Sequence, residues 1–180
     1  GDGILLAAYI ANGQTKITVP NGVKKIGGSA FSGWDIAYIP TDLSVLSHSG
    51  RSKYNISYNV KEIVLPESLT AIDGEVFFGC SGLKEIHIPK NVTVIGADGR
   101  TFAECTALTG IWIDEANTTF TSDENGVLYS KDKTKIYLFP AASELTEYFI
   151  PDSVETIGRG AFCGSKNVAE ITGCKGLKTV

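Results

Sequence analysis

The sequence lacks the features that would place it in a membrane or on a nucleic acid. Its longest uninterrupted apolar run, Ile4 to Ala11, is only eight residues, far short of the ~20 that a membrane-spanning helix needs. Asp2 precedes that run, where a secretory leader carries basic residues, so it does not read as a signal peptide. If the chain is exported, its signal is expected to lie outside this stretch. Lys and Arg number 16 against 20 Asp and Glu, a net charge of −4. No basic run supplies an electrostatic footprint, so no nucleic-acid partner and no membrane insertion are expected. Histidine is scarce: His48 and His87 are the only two, and neither has a recognisable nucleophile or orienting partner. The four cysteines, Cys80, Cys105, Cys163 and Cys174, show no CxxC spacing for zinc. The acidic residues around Asp114, Glu115, Asp123, Glu124 and Asp132 lack the 12-residue spacing of a calcium loop and read as solvated. No Gly-rich phosphate loop, catalytic triad or carboxylate pair is present. The expectation is therefore no enzyme, no metal and no cofactor.

What is present is a repeat. A chain of 180 residues, 43% hydrophobic and 20% charged, has the composition of one folded domain rather than a disordered segment. Val60-Lys-Glu-Ile-Val-Leu-Pro66 returns as Leu83-Lys-Glu-Ile-His-Ile-Pro89, with the prolines 23 residues apart. A second phrase follows, as Val23-Lys-Lys-Ile26, Leu69-Thr-Ala-Ile72, Val92-Thr-Val-Ile95 and Val154-Glu-Thr-Ile157. A third contains Phe31, Phe77, Phe102 and Phe162, followed at two of them by Cys80 and Cys105. The consensus is L-x-x-I-x-I-P-x-x-V-x-x-I-G-x-x-A-F-x-x-C-x-x. L-x-x-I-x-I reads as a short strand that proline ends. V-x-x-I-G reads as a second extended segment. A-F-x-x-C reads as a single helical turn that drops one Phe into the core. One unit cannot bury its apolar face alone, whereas a stack can.

This pattern resembles the BspA-like class of leucine-rich repeats, found largely in bacterial surface proteins, over roughly residues 17 to 180. The resemblance implies a leucine-rich-repeat β-solenoid of right-handed stacked coils with parallel strands and short helical turns, and a role in adhesion or ligand binding. Three departures stand out. The unit from Ile39 to Val60 keeps Pro40, Leu43 and Leu46 but loses the A-F-x-x-C phrase, with Tyr54 and Tyr58 in its place. The next-but-one unit has two extra residues, placed on a surface corner around Asp98-Gly99. Residues 117–142 form an insertion whose Asn-Gly and Lys-Asp-Lys turns separate apolar runs, as in a β-hairpin. The whole of 1–180 reads as a single domain, with 1–16 as an N-terminal cap.

Equivalent positions of stacked coils lie one strand spacing apart, so Cys80, Cys105 and Cys174 should form a column of buried thiols. Cys163 falls outside it, at a partly buried position, and a disulfide such as Cys163–Cys174 stays open. The residue two before each Pro, or its equivalent, is Tyr38, Val64, His87, Trp112, Phe149 and Thr172. Aliphatic residues flank it on both sides, so by alternation this column faces outward. An exposed aromatic row suits recognition, and Tyr38, His87, Trp112 and Phe149 are the candidate ligand-binding residues. The alternative is plain strand propensity. Two residues earlier runs an acidic stripe, with Glu62, Glu85, Glu147 and Glu170 interrupted at Gly110. Sequons at Asn55, Asn91 and Asn117 are explained as turn residues.

Two functions remain. One is a non-enzymatic extracellular module, on a bacterial surface or secreted, that binds a protein or glycan through the sheet face. The other is a spacer segment of a longer surface repeat protein. The last phrase, Leu177-Lys-Thr-Val180, stops in mid-pattern, so self-association through the C-terminal end is expected unless a cap follows.

Overall fold

A proline after each L-x-x-I-x-I phrase removes a ladder donor, so every coil breaks into short strands joined by turns. The computed structural model describes residues 4–5, 15–27, 30–31, 60–96 and 99–180. Over these the chain is a parallel-strand β-solenoid of about four turns. No helix occurs among the described residues. The A-F-x-x-C phrase closes instead as single turns, with Cys80 N–H donating to Phe77 O (3.0 Å) and Cys105 N–H to Phe102 O (3.2 Å).

One wall of the solenoid comes from the V-x-x-I phrases. It runs unbroken through β1 (Ile4–Leu5), β3 (Lys25–Ile26), β5 (Ala71–Ile72) and β7 (Val94–Ile95), in parallel register with Ile26 beside Ile72 and Ile72 beside Ile95. The other wall comes from the L-x-x-I-x-I phrases: β2 (Lys16–Thr18), β4 (Glu62–Val64), β6 (Glu85–Ile88), β8 (Gly110–Ile113), β12 (Glu147–Ile150) and β14 (Glu170–Gly173). It is not continuous. β2 pairs with β4, β6 with β8, and β12 with β14, all parallel, as three separate ladders. The unit read over Ile39–Val60 lies outside the described residues, apart from Val60 itself. The coils carrying β2 and β4 are hydrogen-bonded directly to one another.

Between the walls the core is a column of rings. Phe31, Phe77 and Phe102 stack at centroid distances of 5.6 and 5.0 Å, and all three are buried, as the repeat predicts. Phe162 differs from that expectation by being only half-buried. It stacks on Phe139 at 5.2 Å.

The insertion supplies β9 (Phe120–Ser122) and β10 (Leu128–Ser130), which form a three-stranded antiparallel meander with β11 (Lys135–Leu138). β11 also pairs in parallel with β13 (Thr156–Ile157). Phe139 N–H donates to Ala161 O (2.7 Å) just as Phe77 N–H donates to Thr101 O (3.0 Å). The array therefore resumes at Lys135, and residues 135–142 are coil rather than insertion. Gly126, in the β9–β10 turn, has φ +70° and abuts β8. Its carbonyl accepts Ile111 N–H at 3.0 Å, and a Cβ there would lie 2.5 Å from Gly110 Cα. The meander thus occupies the edge of β8 where the next parallel strand would pair. Buried Asn117 secures its entry. The Asn117 side chain donates to Pro89 O and Val92 O and accepts from Thr119 and Phe120 N–H, at 2.8–3.1 Å. Gly99 is no open surface corner. With φ +73° it lies against Arg159, whose carbonyl oxygen a Cβ would meet at 2.0 Å; Asp98 lies outside the described residues.

Candidate ligand-binding groove on the sheet face

Alternation along β4, β6 and β8 points Ile63, Ile86 and Ile111 inward, where all three are buried, and turns Val64, His87 and Trp112 outward. Val64 is 37% exposed, His87 is exposed and Trp112 is half-buried. His87 and Trp112 are ladder partners on adjacent strands. The three line one groove of about 1040 Å³ along the sheet face. Of the strands that line it, β4 and β6 pack side by side without pairing.

Gly110 sets the pose of Trp112. A Cβ at Gly110 would come within 2.8–2.9 Å of indole atoms Cε2, Cζ2 and Nε1. The ring therefore lies flat on the backbone of its own strand, and only glycine in the acidic stripe leaves space for it. Phe149 repeats the arrangement over Gly173 of the neighbouring strand, with ring atoms 3.0–3.1 Å from where a Cβ would stand. Phe149 is 63% exposed, but the meander lies between its ladder and that of Trp112. It does not line the groove. Of the four residues singled out from the sequence, His87 and Trp112 come together, Phe149 lies apart, and Tyr38 lies outside the described residues.

Charge surrounds the apolar floor. Carboxylates of Glu62, Glu67, Glu85, Asp114 and Glu115 line the groove against two lysines, Lys61 and Lys84. Glu62 is matched by Lys16 at 2.6 Å and Glu67 by Lys90 at 3.8 Å. No ion pair engages Glu85, Asp114 or Glu115 among the described residues, though Asp114 Oδ1 accepts the Ala116 N–H at 2.9 Å. The acidic stripe was legible in the sequence. Asp114 and Glu115, which replace Pro and its successor in the repeat, belong to the groove although the sequence placed them in a solvated loop.

The thiols are structural. All four cysteines are free. Cys80 Sγ–H donates to Phe31 O and Cys105 Sγ–H to Phe77 O, both at 3.1 Å. Burial pushes the Cys105 thiol up to about 12 and holds that of Cys80 well above its ordinary value, so neither is a nucleophile at neutral pH. Cys163 is exposed rather than partly buried, and Cys174 is half-buried. A polar cluster that the repeat pattern did not signal joins the meander to the later coils. Tyr148, at an inward Ile position, donates its hydroxyl to Asp123 Oδ2 (2.7 Å), and the Tyr129 and Tyr148 hydroxyls bond to each other. Burial raises both phenols, Tyr129 to about 12. Of the sequons, Asn117 is buried and fully bonded, Asn91 is exposed, and Asn55 lies outside the described residues. No group of three potential metal ligands occurs among the described residues, and they include no helix long and apolar enough to cross a membrane.

Comparison with known proteins agrees with this geometry. A family model described as the BspA type leucine rich repeat region matches residues 7–125 and 132–180 in six copies, and so begins ten residues before the repeat is evident by eye. Among solved structures, the pneumococcal vaccine antigen PcpA is similar, with 24% identity and a TM-score of 0.71 over 91% of this chain and 34% of that one. A leucine-rich repeat protein from Eubacterium ventriosum shares 30% identity with a TM-score of 0.65, over 92% of this chain and 43% of that one. A leucine rich cell surface protein from Faecalibacterium prausnitzii shares 24% identity with a TM-score of 0.61, over 92% and 46%. The chain spans less than half the length of each of these structures. No curated protein matches the sequence.

Proposed function

The chain belongs to the BspA-type leucine-rich repeat family, and on that premise we propose that it is a non-enzymatic binding module, displayed on a bacterial surface or secreted, that holds a protein or glycan in its sheet-face groove. The observation that carries this reading is the groove of about 1040 Å³ in which Val64, His87 and Trp112 stand outward on adjacent strands. Large concave surfaces are how stacked-repeat proteins meet their partners. A partly exposed Trp on such a surface is the residue type that most often dominates binding, because a rigid ring buries much area at small entropic cost. The cell-surface description of the Faecalibacterium protein supports the location.

An array of extracellular-matrix proteins and glycans, probed with the wild-type chain and with Trp112→Ala, tests the proposal. Trp112→Ala is expected to weaken the bound species by at least about tenfold, which corresponds to ~1.4 kcal/mol or more. Binding that is indifferent to the substitution would move the site elsewhere. No binding by either form would favour a spacer segment, which suits a chain that spans less than half of its structural relatives.

A further inference from the structure

Resting on the groove as the ligand site, we infer that its occupant is an extended polypeptide segment bearing an arginine, whose guanidinium lies on the Trp112 indole among the carboxylates of Glu85, Asp114 and Glu115. Three observations on separate links of the structure converge on this chemistry.

The first is the pose of the ring. Gly110 lets the indole rest on the strand, and Trp112 lines the groove. A flat, fixed indole face attracts a cation placed within about 6 Å of its centroid, and a guanidinium adds planar stacking. The second is charge. Glu85 is the ladder partner of Gly110, over which the ring lies, and Asp114 and Glu115 follow β8 and line the same groove. Among the described residues they carry no ion pair, and so can take the forked donors of a guanidinium. The groove as a whole holds more carboxylates than lysines, which draws a basic partner and disfavours an acidic one. The third is shape. The groove is lined by residues of three successive strands, β4, β6 and β8, a span that an extended polypeptide covers. A neutral glycan does not meet the charge.

The test uses the whole chain. An immobilised array of extended peptides of varied composition is read beside a panel of neutral oligosaccharides. The best peptide is then measured by fluorescence anisotropy against an analogue with citrulline, the neutral isostere, in place of arginine. The variants are Trp112→Ala, Gly110→Ala, and Glu85→Gln combined with Asp114→Asn. Gly110→Ala keeps the indole but lifts it from its seat, and urea midpoints check that each variant is folded. The expected result is arginine enrichment on the array and a loss of at least about tenfold with citrulline, with Trp112→Ala and with Gly110→Ala. The double carboxylate variant should lose several-fold and show a flatter salt dependence. Peptides bound without basic preference, or an oligosaccharide bound instead, with affinity still lost in Trp112→Ala, would overturn the arginine inference and leave the groove standing. Arginine-peptide binding that ignores both Trp112→Ala and Gly110→Ala, or an absence of binding on both panels, would overturn the groove as well.

Discussion

The coils before the meander and those after it follow one consensus yet are packed differently. At the inward strand position Ile86 is 1% exposed, whereas Ile171 is 46% exposed. At the thiol position Cys80 and Cys105 are buried and bonded to the carbonyls of the coil before, while Cys174 is half-buried. Ser165 stands at the same position, and its Oγ is buried without a partner. The ring column of the first region is continuous through Phe31, Phe77 and Phe102, and that of the second is the pair Phe139 and Phe162. The residue types barely change. What changes is how closely each is covered, and in a solenoid cover is supplied by stacking.

The largest effect should come from equivalent truncations in the two regions. Phe102→Ala removes a buried ring stacked on Phe77 and should cost ~3–5 kcal/mol in urea unfolding. Ile171→Ala removes a half-exposed side chain from the last strand and should cost under ~1 kcal/mol. Similar losses at both sites would break the comparison.

The thiols sharpen the contrast next. Burial raises the Cys105 thiol from 9.0 to about 12, so the folded state prefers the protonated form more strongly than the unfolded chain does. The associated stability is complete below about pH 9 and is lost as pH climbs toward 12. For Cys105 that amounts to about 2–3 kcal/mol by pH 11. Unfolding followed from pH 8 to 11 should steepen accordingly, and Cys105→Ala should flatten the curve. In a thiol-labelling assay at pH 8, exposed Cys163 should react first and Cys80 and Cys105 only on unfolding. Rapid labelling of all four would break the comparison.

The smallest effect concerns a turn. Two residues after the core Phe, Gly79 and Gly164 take φ of +75° and +83°, but the first region also holds Glu104 there, at φ +61°. A side chain in the left-handed region costs ~1–2 kcal/mol, part of which glycine returns as unfolded-state entropy. Glu104→Gly should therefore stabilise by ~0.5–1 kcal/mol, read as a rise in the urea midpoint. A fall would mean that the Glu104 side chain contributes more than its backbone costs.

Much of this was legible in the sequence because it is local. Alternation along a strand decides which side chains point inward, so the inward Ile positions, the Phe column, the Cys80–Cys105 pair and the outward placement of His87 and Trp112 all follow from period two and the repeat phase. The repeat also carries the family resemblance and the solenoid class. Its prolines mark where strands stop, although around Phe77 and Phe102 the chain makes single turns, interrupted by Gly79 and Glu104 in the left-handed region, and no helix.

Only the tertiary structure decided which residues are neighbours. The phase of Phe149 is the same as that of Trp112, but the Gly126 turn lies against β8 and separates the two ladders. A segment that looked like insertion to residue 142 rejoins the array at Lys135, where β11 finds β13. The flat seat of Trp112 needs Gly110 beneath it, and the groove exists only because the stack sets β4, β6 and β8 side by side. A strand's sequence determines the direction of its side chains by local geometry. Which strand lies beside it is set by long-range stacking, where a single close approach between two glycines, Gly126 on Gly110, redirects the sheet.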